Sequence, residues 1–597
     1  MCGIAGLFDR RRDVGREELG RFTDALAHRG PDGRGLMLDG RIGLGHRRLA
    51  ILDRSRRGRC PMPYEESQPL ALGERLRGQL AALAGSDCEQ AALTAHRYWI
   101  TFNGEIYNFL ELRAELTAMG YRFRTETDTE VVLAAYAQWG EGCLQRFNGM
   151  WAFALWDRQD RTLLLARDRF GVKPLYYLED PDRFAFASEL KAFLGLDGFR
   201  PTLASDLIPA YLESSYAVEG TTDATLMKGV RRLPAGHTLR LSLDGTFTVR
   251  RWWETRDHFP SIPDRYEDQV EQFRALFLDS VRIRMRSDVP VGTCLSGGLD
   301  SSSVAVAMAH LHGMKTDLTR CPADWQRAFI ADFPDTVLSE RTYGDEIVRH
   351  TQARPRYWTF DQEKTVHHVM ESVWSMEEVY GGLATPVWCL YQQLRNDGVV
   401  VSLDGHGSDE LLGGYAWYLD WPMTQARDNL YRDFHAGLLP AILRNYDRCS
   451  MAHGIEVRMP FMDWRLVTFS HALPAASRFG GGYTKRILRD AMKDLMPDRV
   501  RLRRFKIGFN SPMIEWYNGG LAPLLRQIVQ HPLWLESPHW DGPKLRDRIL
   551  ARTEARAWTM DHWAESIEVW TKLNIVLWQL QFIERDSAYR PPARPQP

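Results

Sequence analysis

Cys2 stands directly behind Met1 in "MCGIAGLFD". Methionine is commonly removed ahead of a small residue, which would leave one residue carrying both a thiol and an α-amine. An α-amine titrates near ~7.7–8.0, so at neutral pH part of it is unprotonated and can take the thiol's proton. The plain alternative is a small apolar cysteine opening a strand. Far along the chain, "LSGGLDSSS" at 295–303 follows the strand-like "VPVGTC" and enters a helical pattern. A glycine-rich turn at a helix N-terminus offers free N–H groups and the positive end of the helix dipole to phosphate. The Gly-Lys-[Ser/Thr] ending of a P-loop is missing. Asp300 in this turn and Asp409 in "DGHGSDELLGGY" are hard oxygen donors of the kind Mg²⁺ takes when it bridges phosphates. Asp409 also reads as a helix N-cap. Lys485 in "GGYTKRILRDAM" is a point charge able to follow a departing pyrophosphate, or a solvated helix lysine.

A smaller set accompanies Cys2. "FNGEIYN" places Asn103 and Gly104 at a turn after a strand, where a side-chain amide and a backbone N–H can converge on a developing oxyanion. Arg48 in "GHRRLAILD" has the planar fork that suits a carboxylate, and Asp128 in "TETDTE" suits an ammonium. Each of these alone reads more readily as a turn residue or a surface charge.

Two kinds of element must position them. Up to about residue 200 the chain reads as short strands, "GIAGLF", "RIGLGHRRLAIL", "RYWITFNGEIYNF", "MWAFALWD", "RTLLLARD" and "RFAFAS". Helical patterns such as "LELRAELTAMG" and "DTEVVLAAYAQWG" end at glycines between them. From about 266 helices alternate with brief apolar strands, "VPVGTCL", "WQRAFIADF" and "VVVSLDG", the pattern of a parallel α/β sheet. A boundary falls between about 200 and 265. Residues 65–97 interrupt two strands and read as an added surface helix, and the terminal "YRPPARPQP" has too little apolar content to fold.

At 597 residues the chain is too long for one ordinary core. Its 76 basic and 77 acidic side chains give a formal net charge of -1, which argues for small-molecule partners over nucleic acid or an anionic membrane. The first apolar run stops at Phe8 before five charged residues, so a secretory signal is not expected, and no run approaches a spanning helix. Eight cysteines without a C-x-x-C pair suit neither a disulfide scaffold nor a structural zinc site, and a cytoplasmic location is expected.

Cys2, Asn103, Gly104, Arg48 and Asp128, together with "HRGPDG" at 28–33 and "ARDRFGVKPLYY" at 166–177, resemble the glutaminase domain of class II, N-terminal-nucleophile glutamine amidotransferases. S-G-G-x-D-S resembles the pyrophosphate loop of ATP pyrophosphatases. In this order, with "NYDRCSMAHGIEVRMPFMD" and "FKIGFNSP", they resemble the glutamine-hydrolysing asparagine synthetase family over about residues 2–585. The resemblance implies an αββα glutaminase domain at 2–215, a connecting segment at 216–265, a parallel-sheet α/β ATP pyrophosphatase domain at 266–585 and a disordered tail at 586–597. It implies that Cys2 attacks the side-chain amide of glutamine, that Asn103 and Gly104 form the oxyanion hole, and that Arg48, Glu105 and Asp128 bind glutamine with them. It places ATP on Leu295, Ser296, Gly297, Gly298, Asp300, Ser301, Asp404 and Gly405, with Mg²⁺ on Asp300 and Asp409 and Lys485 as a catalytic cation. A carboxylic acid would be adenylated, and ammonia reaching it through an internal tunnel would displace AMP. The assembly is left open, a homodimer among the possibilities.

One position departs from the pattern. In asparagine synthetases the segment at 405–410 usually reads Gly-Glu-Gly-[Ser/Ala]-Asp-Glu, its first Glu is thought to act in amide formation, and here that position is His406. Histidine can take a proton from attacking ammonia, oriented by an acid such as Glu377, Glu378 or Asp447, or it can simply pack in the loop. The segment 316–341 matches the family loosely. L-aspartate is the default acceptor; a sugar uronate, a peptide or a natural-product carboxylate would use the same machinery, and a non-catalytic paralogue is the remaining alternative.

Overall fold

The computed structural model describes residues 1–64, 96–314, 318–334, 336, 339–506 and 511–591. The surface helix expected at 65–97 therefore lies, but for its last two residues, outside the described residues. The chain divides into two compact units, the first built from 1–200 and 229–254, the second from 201–228 and 255–597.

The first unit contains β1 Gly3–Asp9, β2 Gly33–Asp39, β3 Ile42–Arg48, β4 Met62–Tyr64, β5 Tyr98–Ile106, β6 Gly149–Asp157, β7 Thr162–Arg167, β8 Tyr176–Glu179, β9 Arg183–Ala187, β10 Val230–Arg232, β11 His237–Ser242 and β12 Phe247–Arg251. They form two six-stranded sheets, ordered β10-β8-β9-β1-β3-β2 and β12-β11-β7-β6-β5-β4. Ile4, Phe8, Leu44 and Phe186 of one sheet share a core with Trp99, Ala154, Leu165 and Leu239 of the other. Helix α1, Arg16–Asp24, packs on β1 and β3; α2, Phe109–Ala118, packs on α3, Asp128–Trp139, which covers β5. Layers of helix, sheet, sheet and helix result. Strands β1 and β6 are covered on both faces and accordingly read as nearly continuous apolar runs, whereas edge strand β12, "FTVRR", is largely exposed.

The stretch expected to connect the domains is split between them. Residues 229–254 supply β10, β11 and β12 to the two sheets of the first unit, and 216–228 pack with the second.

In the second unit, β13 Val291–Cys294, β14 Arg327–Asp332, β15 Arg354–Thr359, β16 Val401–Leu403 and β17 Glu456–Arg458 form a parallel sheet ordered β15-β14-β13-β16-β17. The helices that matter below are α4 Leu299–Gly313, α5 Thr385–Asn396, α6 Ser408–Leu412, α7 Leu438–Met451 and α8 Arg486–Ala491. A helical cluster around Trp516, Trp534 and Trp570 completes the unit. Tyr589 belongs to that cluster, its hydroxyl accepting from Gln527 and its carbonyl from Gln581. The expectation of disorder from 586 onward therefore fails for 586–591: one aromatic ring supplies the apolar area that the rest of the tail lacks.

Candidate functional site

In the first unit, the N-terminal motif is held from several sides. The backbone N–H of Cys2 donates to Asn103 Oδ1 at 3.1 Å, and Arg29 Nε donates to the Cys2 carbonyl at 3.1 Å. Arg29 is fully buried and pairs with Glu189 at 2.7 Å, which also meets Lys191 at 2.6 Å and His28 at 2.8 Å. Within "HRGPDG", Gly30 presses on β3, where a Cβ would lie 2.2 Å from the Arg47 carbonyl oxygen, and Asp32 accepts from the N–H of Ala50. The motif is thus a clamp on the residue behind Met1.

Asn103 and Gly104 lie inside β5 and not in a turn after it, because β6 pairs along the whole of β5. Asn103 is fully buried, and its Nδ2 has no hydrogen-bond partner among the described residues. An orphaned amide donor beside Cys2 is what a developing oxyanion would satisfy. Gly104 has a packing reason as well, since a Cβ there would lie 2.3 Å from the Met150 carbonyl oxygen.

The "TETDTE" motif folds as one cap. Thr127 Oγ1 accepts from the N–H of Glu130, and the Glu130 carboxylate reaches back to the N–H groups of Arg124 and Thr125. This sets Asp128 in the first turn of α3, buried, where Oδ2 accepts from the N–H of Ile106 at 2.9 Å. Arg48, at the end of β3, donates to the carbonyls of Leu52, Asp53 and Ser55. A pocket is lined by Cys2, Arg48, Gly104, Glu105 and Asp128, with His46 and Cys60 beside them.

His46 was not singled out from the sequence. It is buried with Nδ1 3.0 Å from Thr101 Oγ1, and burial, reinforced by the charge of Arg48, lowers its pKa to about 3. The ring is therefore neutral at physiological pH. Burial likewise pushes the Cys60 thiol up, so of the two cysteines in the pocket Cys60 is held as a thiol.

In the second unit, Leu295, Ser296, Gly297 and Gly298 connect β13 to α4, whose N-cap is Gly298. The N–H of Ser296 donates to Ser301 Oγ, and that of Gly298 to Ser296 Oγ. Gly297 takes φ +79°, and a Cβ there would lie 2.5 Å from the backbone N of Gly344. Gly405 touches the same turn, its imaginary Cβ 2.7 Å from both the Asp300 carbonyl carbon and the Ser301 nitrogen.

Two carboxylates meet one ammonium here. Lys485 Nζ lies 2.7 and 2.6 Å from the two oxygens of Asp300 and 2.6 Å from Asp409 Oδ1. Asp300 Oδ1 also accepts from Ser408 Oγ, and Lys506 pairs with Asp409 Oδ2. Burial alone would raise the Asp409 pKa, but the two lysines outweigh it and hold the carboxyl below its ordinary range. Burial opposes the charge of Lys485, yet the two carboxylates raise its pKa overall. Lys485 is buried at the head of α8 in a left-handed conformation, φ +52°, which costs about 1–2 kcal/mol in a non-glycine residue. It is not a solvated helix lysine. Asp409 sits in the first turn of α6, while Gly407 is the N-cap position.

Lys506 is a further residue that sequence reasoning passed over, although "FKIGFNSP" was singled out. Its Nζ also lies 4.4 Å from the ring centre of Tyr415, whose hydroxyl donates to Glu410 at 2.6 Å. Burial and the neighbouring Asp409 push the Glu410 carboxyl up to about 7.

His406 is placed differently from expectation. Its acid is Asp404, with Nε2 3.5 Å from Oδ2, and its ring stacks on Tyr446. Glu377 and Asp447 pair with Arg448, and Glu378 accepts from the Tyr211 hydroxyl. Asp404 accepts from the N–H of Cys294 as well, so it belongs to the wall behind the glycine-rich turn 295–298.

With two hard carboxylates drawn together by a single ammonium, the donor set fits a divalent cation whose remaining ligands would be phosphate oxygens and water. Among the described residues there is no group of three or more His, Cys, Asp or Glu that could hold a metal by itself.

The sequence model of the family described as asparagine synthase matches residues 272–580, more than half of the chain, and that of the glutamine amidotransferase domain matches 1–74 and 77–253. The chain belongs to the asparagine synthase family. Among relatives of this family, asparagine synthetase [glutamine-hydrolyzing] 1 of Bacillus subtilis is 27% identical, over 98% of this chain and 97% of its own. Asparagine synthetase [glutamine-hydrolyzing] 3 of the same organism is 30% identical over 88% and 90%. Amidase chry2 of Gibberella zeae is 28% identical over 88% of this chain and 80% of its own. The asparagine synthase-type chain is accordingly a glutamine-dependent amidotransferase, of the carbon–nitrogen ligase class. No described helix is long and apolar enough to cross a membrane.

Proposed function

We propose that this protein converts a carboxylic acid to its carboxamide at the expense of ATP, with glutamine as nitrogen donor. Cys2, after loss of Met1, attacks the glutamine side-chain amide, its own α-amine taking the thiol proton. Asn103 Nδ2 and the N–H of Gly104 receive the oxyanion, and Arg48 and Asp128 hold the amino-acid end. In the second unit the turn 295–301 receives the ATP phosphates, Asp300 and Asp409 would hold Mg²⁺, and Lys485 and Lys506 neutralise the pyrophosphate as it leaves. When bound, the metal supplies positive charge at the phosphates. The observation that carries the reading is Lys485 joining Asp300 and Asp409 behind the glycine-rich turn 295–298. A buried ammonium between two carboxylates has no packing value, and apolar side chains of similar volume would serve the fold as well or better.

L-aspartate is the first acceptor to test, since two of the relatives above are named asparagine synthetases. His406, stacked on Tyr446, favours a second reading in which the acceptor is a different carboxylate. Pyrophosphate release with Mg²⁺-ATP and glutamine, measured across L-aspartate, L-glutamate, uronates and aromatic acids with mass spectrometry of products, separates the two. Asparagine supports the first. Release with another acid alone supports the second, and silence with every acid contradicts both.

A further inference from the structure

We propose that Arg503 and Glu340 form a positioning pair that sets Lys506 against Asp409, a role that rests on the ATP site proposed above. Glu340 lies near the end of the 316–341 segment, and Arg503 stands three positions before Lys506. Arg503 Nη1 is 2.6 Å from Glu340 Oε1, and both side chains are buried. The guanidinium also lies 4.3 Å from the centre of the Tyr343 ring and 4.2 Å from that of Phe505, and the two rings meet at 73°. Arg503 is therefore seated in a corner of two aromatic rings with a carboxylate beside it. Its guanidinium nitrogens make no hydrogen bond among the described residues, so charge and ring contact hold it.

Both partners of Arg503 connect to the ATP site. Glu340 is the N-cap position of the helix Arg341–Thr351, and its carbonyl accepts from the N–H groups of Tyr343 and Gly344. The head of that helix presses on the glycine-rich turn, since a Cβ on Gly297 would lie 2.5 Å from Gly344 N and 2.6 Å from Tyr343 Cβ. On the other side, Lys506 follows Phe505 directly, and its ammonium pairs with Asp409 Oδ2 and lies over the Tyr415 ring. The segment 503–506 is thus tied at one end to the helix behind Gly297 and at the other to Asp409. The contacts run from the turn through Tyr343 and Arg503 to Lys506 and Asp409, and Lys485 carries them back to Asp300.

A lysine ammonium is a point charge on a flexible stem, so holding it at one place requires a backbone that does not move. Arg503, three positions earlier and seated on two rings and a carboxylate, supplies that anchor. As a folding device the pair is a poor choice, because apolar side chains of similar volume would serve a buried corner as well or better. Burial pushes the Glu340 carboxyl up to about 7 against the charge of Arg503, so the pair is fully charged at about pH 8, where its effect is best read.

The test measures pyrophosphate release by the full-length enzyme at that pH, with Mg²⁺-ATP, glutamine and the acid found active in the panel above, reading kcat and the KM for ATP separately. Arg503→Met and Glu340→Gln should each lower kcat by about 10-fold with KM little changed, because Lys506 acts on the leaving pyrophosphate. Glu340→Gln keeps the shape of the natural side chain, so the test stands even where Arg503→Met does not fold. Arg503→Lys keeps the charge but not the planar group, and should fall between Arg503→Met and wild type. Lys506→Met should lower kcat by about 10²-fold. Adding Arg503→Met or Glu340→Gln to it should lower kcat no further, since a residue that acts through Lys506 then has nothing left to position. Losses that multiply in the double variants, an unchanged kcat in the single ones, or a rise in KM alone would overturn the positioning pair while leaving the ATP site intact. A Lys506→Met enzyme at the wild-type rate would overturn the role of Lys506 and the pair with it. A wild type that releases no pyrophosphate with any acid would overturn the ATP site as well.

Discussion

Lys485 donates to both carboxylate oxygens of Asp300, at 2.7 and 2.6 Å, across 185 positions of sequence. The same ammonium reaches Asp409, so the 295–301 turn, the 405–410 loop and the head of α8 meet on one nitrogen.

Replacing that nitrogen leaves two carboxylates facing each other in a buried site. Lys485→Met should lower pyrophosphate release by about 10²–10³-fold and destabilise the second unit by about 3–5 kcal/mol. Initial rates with Mg²⁺-ATP and urea unfolding check the two effects.

Gly414 tests the same contact without touching a charge. A Cβ there would lie 1.8 Å from Asp409 Oδ1 and 2.2 Å from Lys485 Cε. Gly414→Ala should force the pair apart and reduce pyrophosphate release by about 10-fold or more, for a stability loss of about 1–3 kcal/mol. Rates unchanged from wild type would mean that the pair does not govern the leaving group.

His46 gives a pH dependence of known sign. Its pKa is about 3 in the folded protein, against an ordinary value near 6.5. Below pH ~6.5 the unfolded chain binds a proton that the folded one does not, so stability falls as pH falls. Between pH 7 and pH 5 the loss from this one ring is about 2 kcal/mol. His46→Gln removes that titration, so its stability relative to wild type should rise by the same amount between pH 7 and pH 5 in urea titrations.

The strands and their chemistry were legible in the sequence wherever one segment carried its own signal. "VVVSLDG" became β16 because an apolar run of that length can be buried on both faces, and "DTEVVLAAYAQWG" became α3, ending at Gly140 as its pattern predicts. What escaped were relationships between segments. Asp404 carries no local mark of its surroundings, yet the fold places it 3.5 Å from His406, with Tyr391 of α5 and Cys294 of β13 donating to it. Lys506 carries no periodicity that marks it, and only the fold brings it to Asp409. Strands β10, β11 and β12 were missed because their neighbours β8 and β7 lie far back in the chain, and the exposed "FTVRR" lacks the apolar content of a buried strand.

In the function proposed above, nitrogen release and carboxylate activation are separate chemistries, with Cys2 serving only the first. The most direct measurement is carboxamide formation by Cys2→Ala, supplied in parallel with glutamine and with ammonium at equal ATP and acceptor. The glutamine-dependent product should be lost and the ammonium-dependent one retained. Loss of both, or retention of glutamine-dependent synthesis, would contradict that separation.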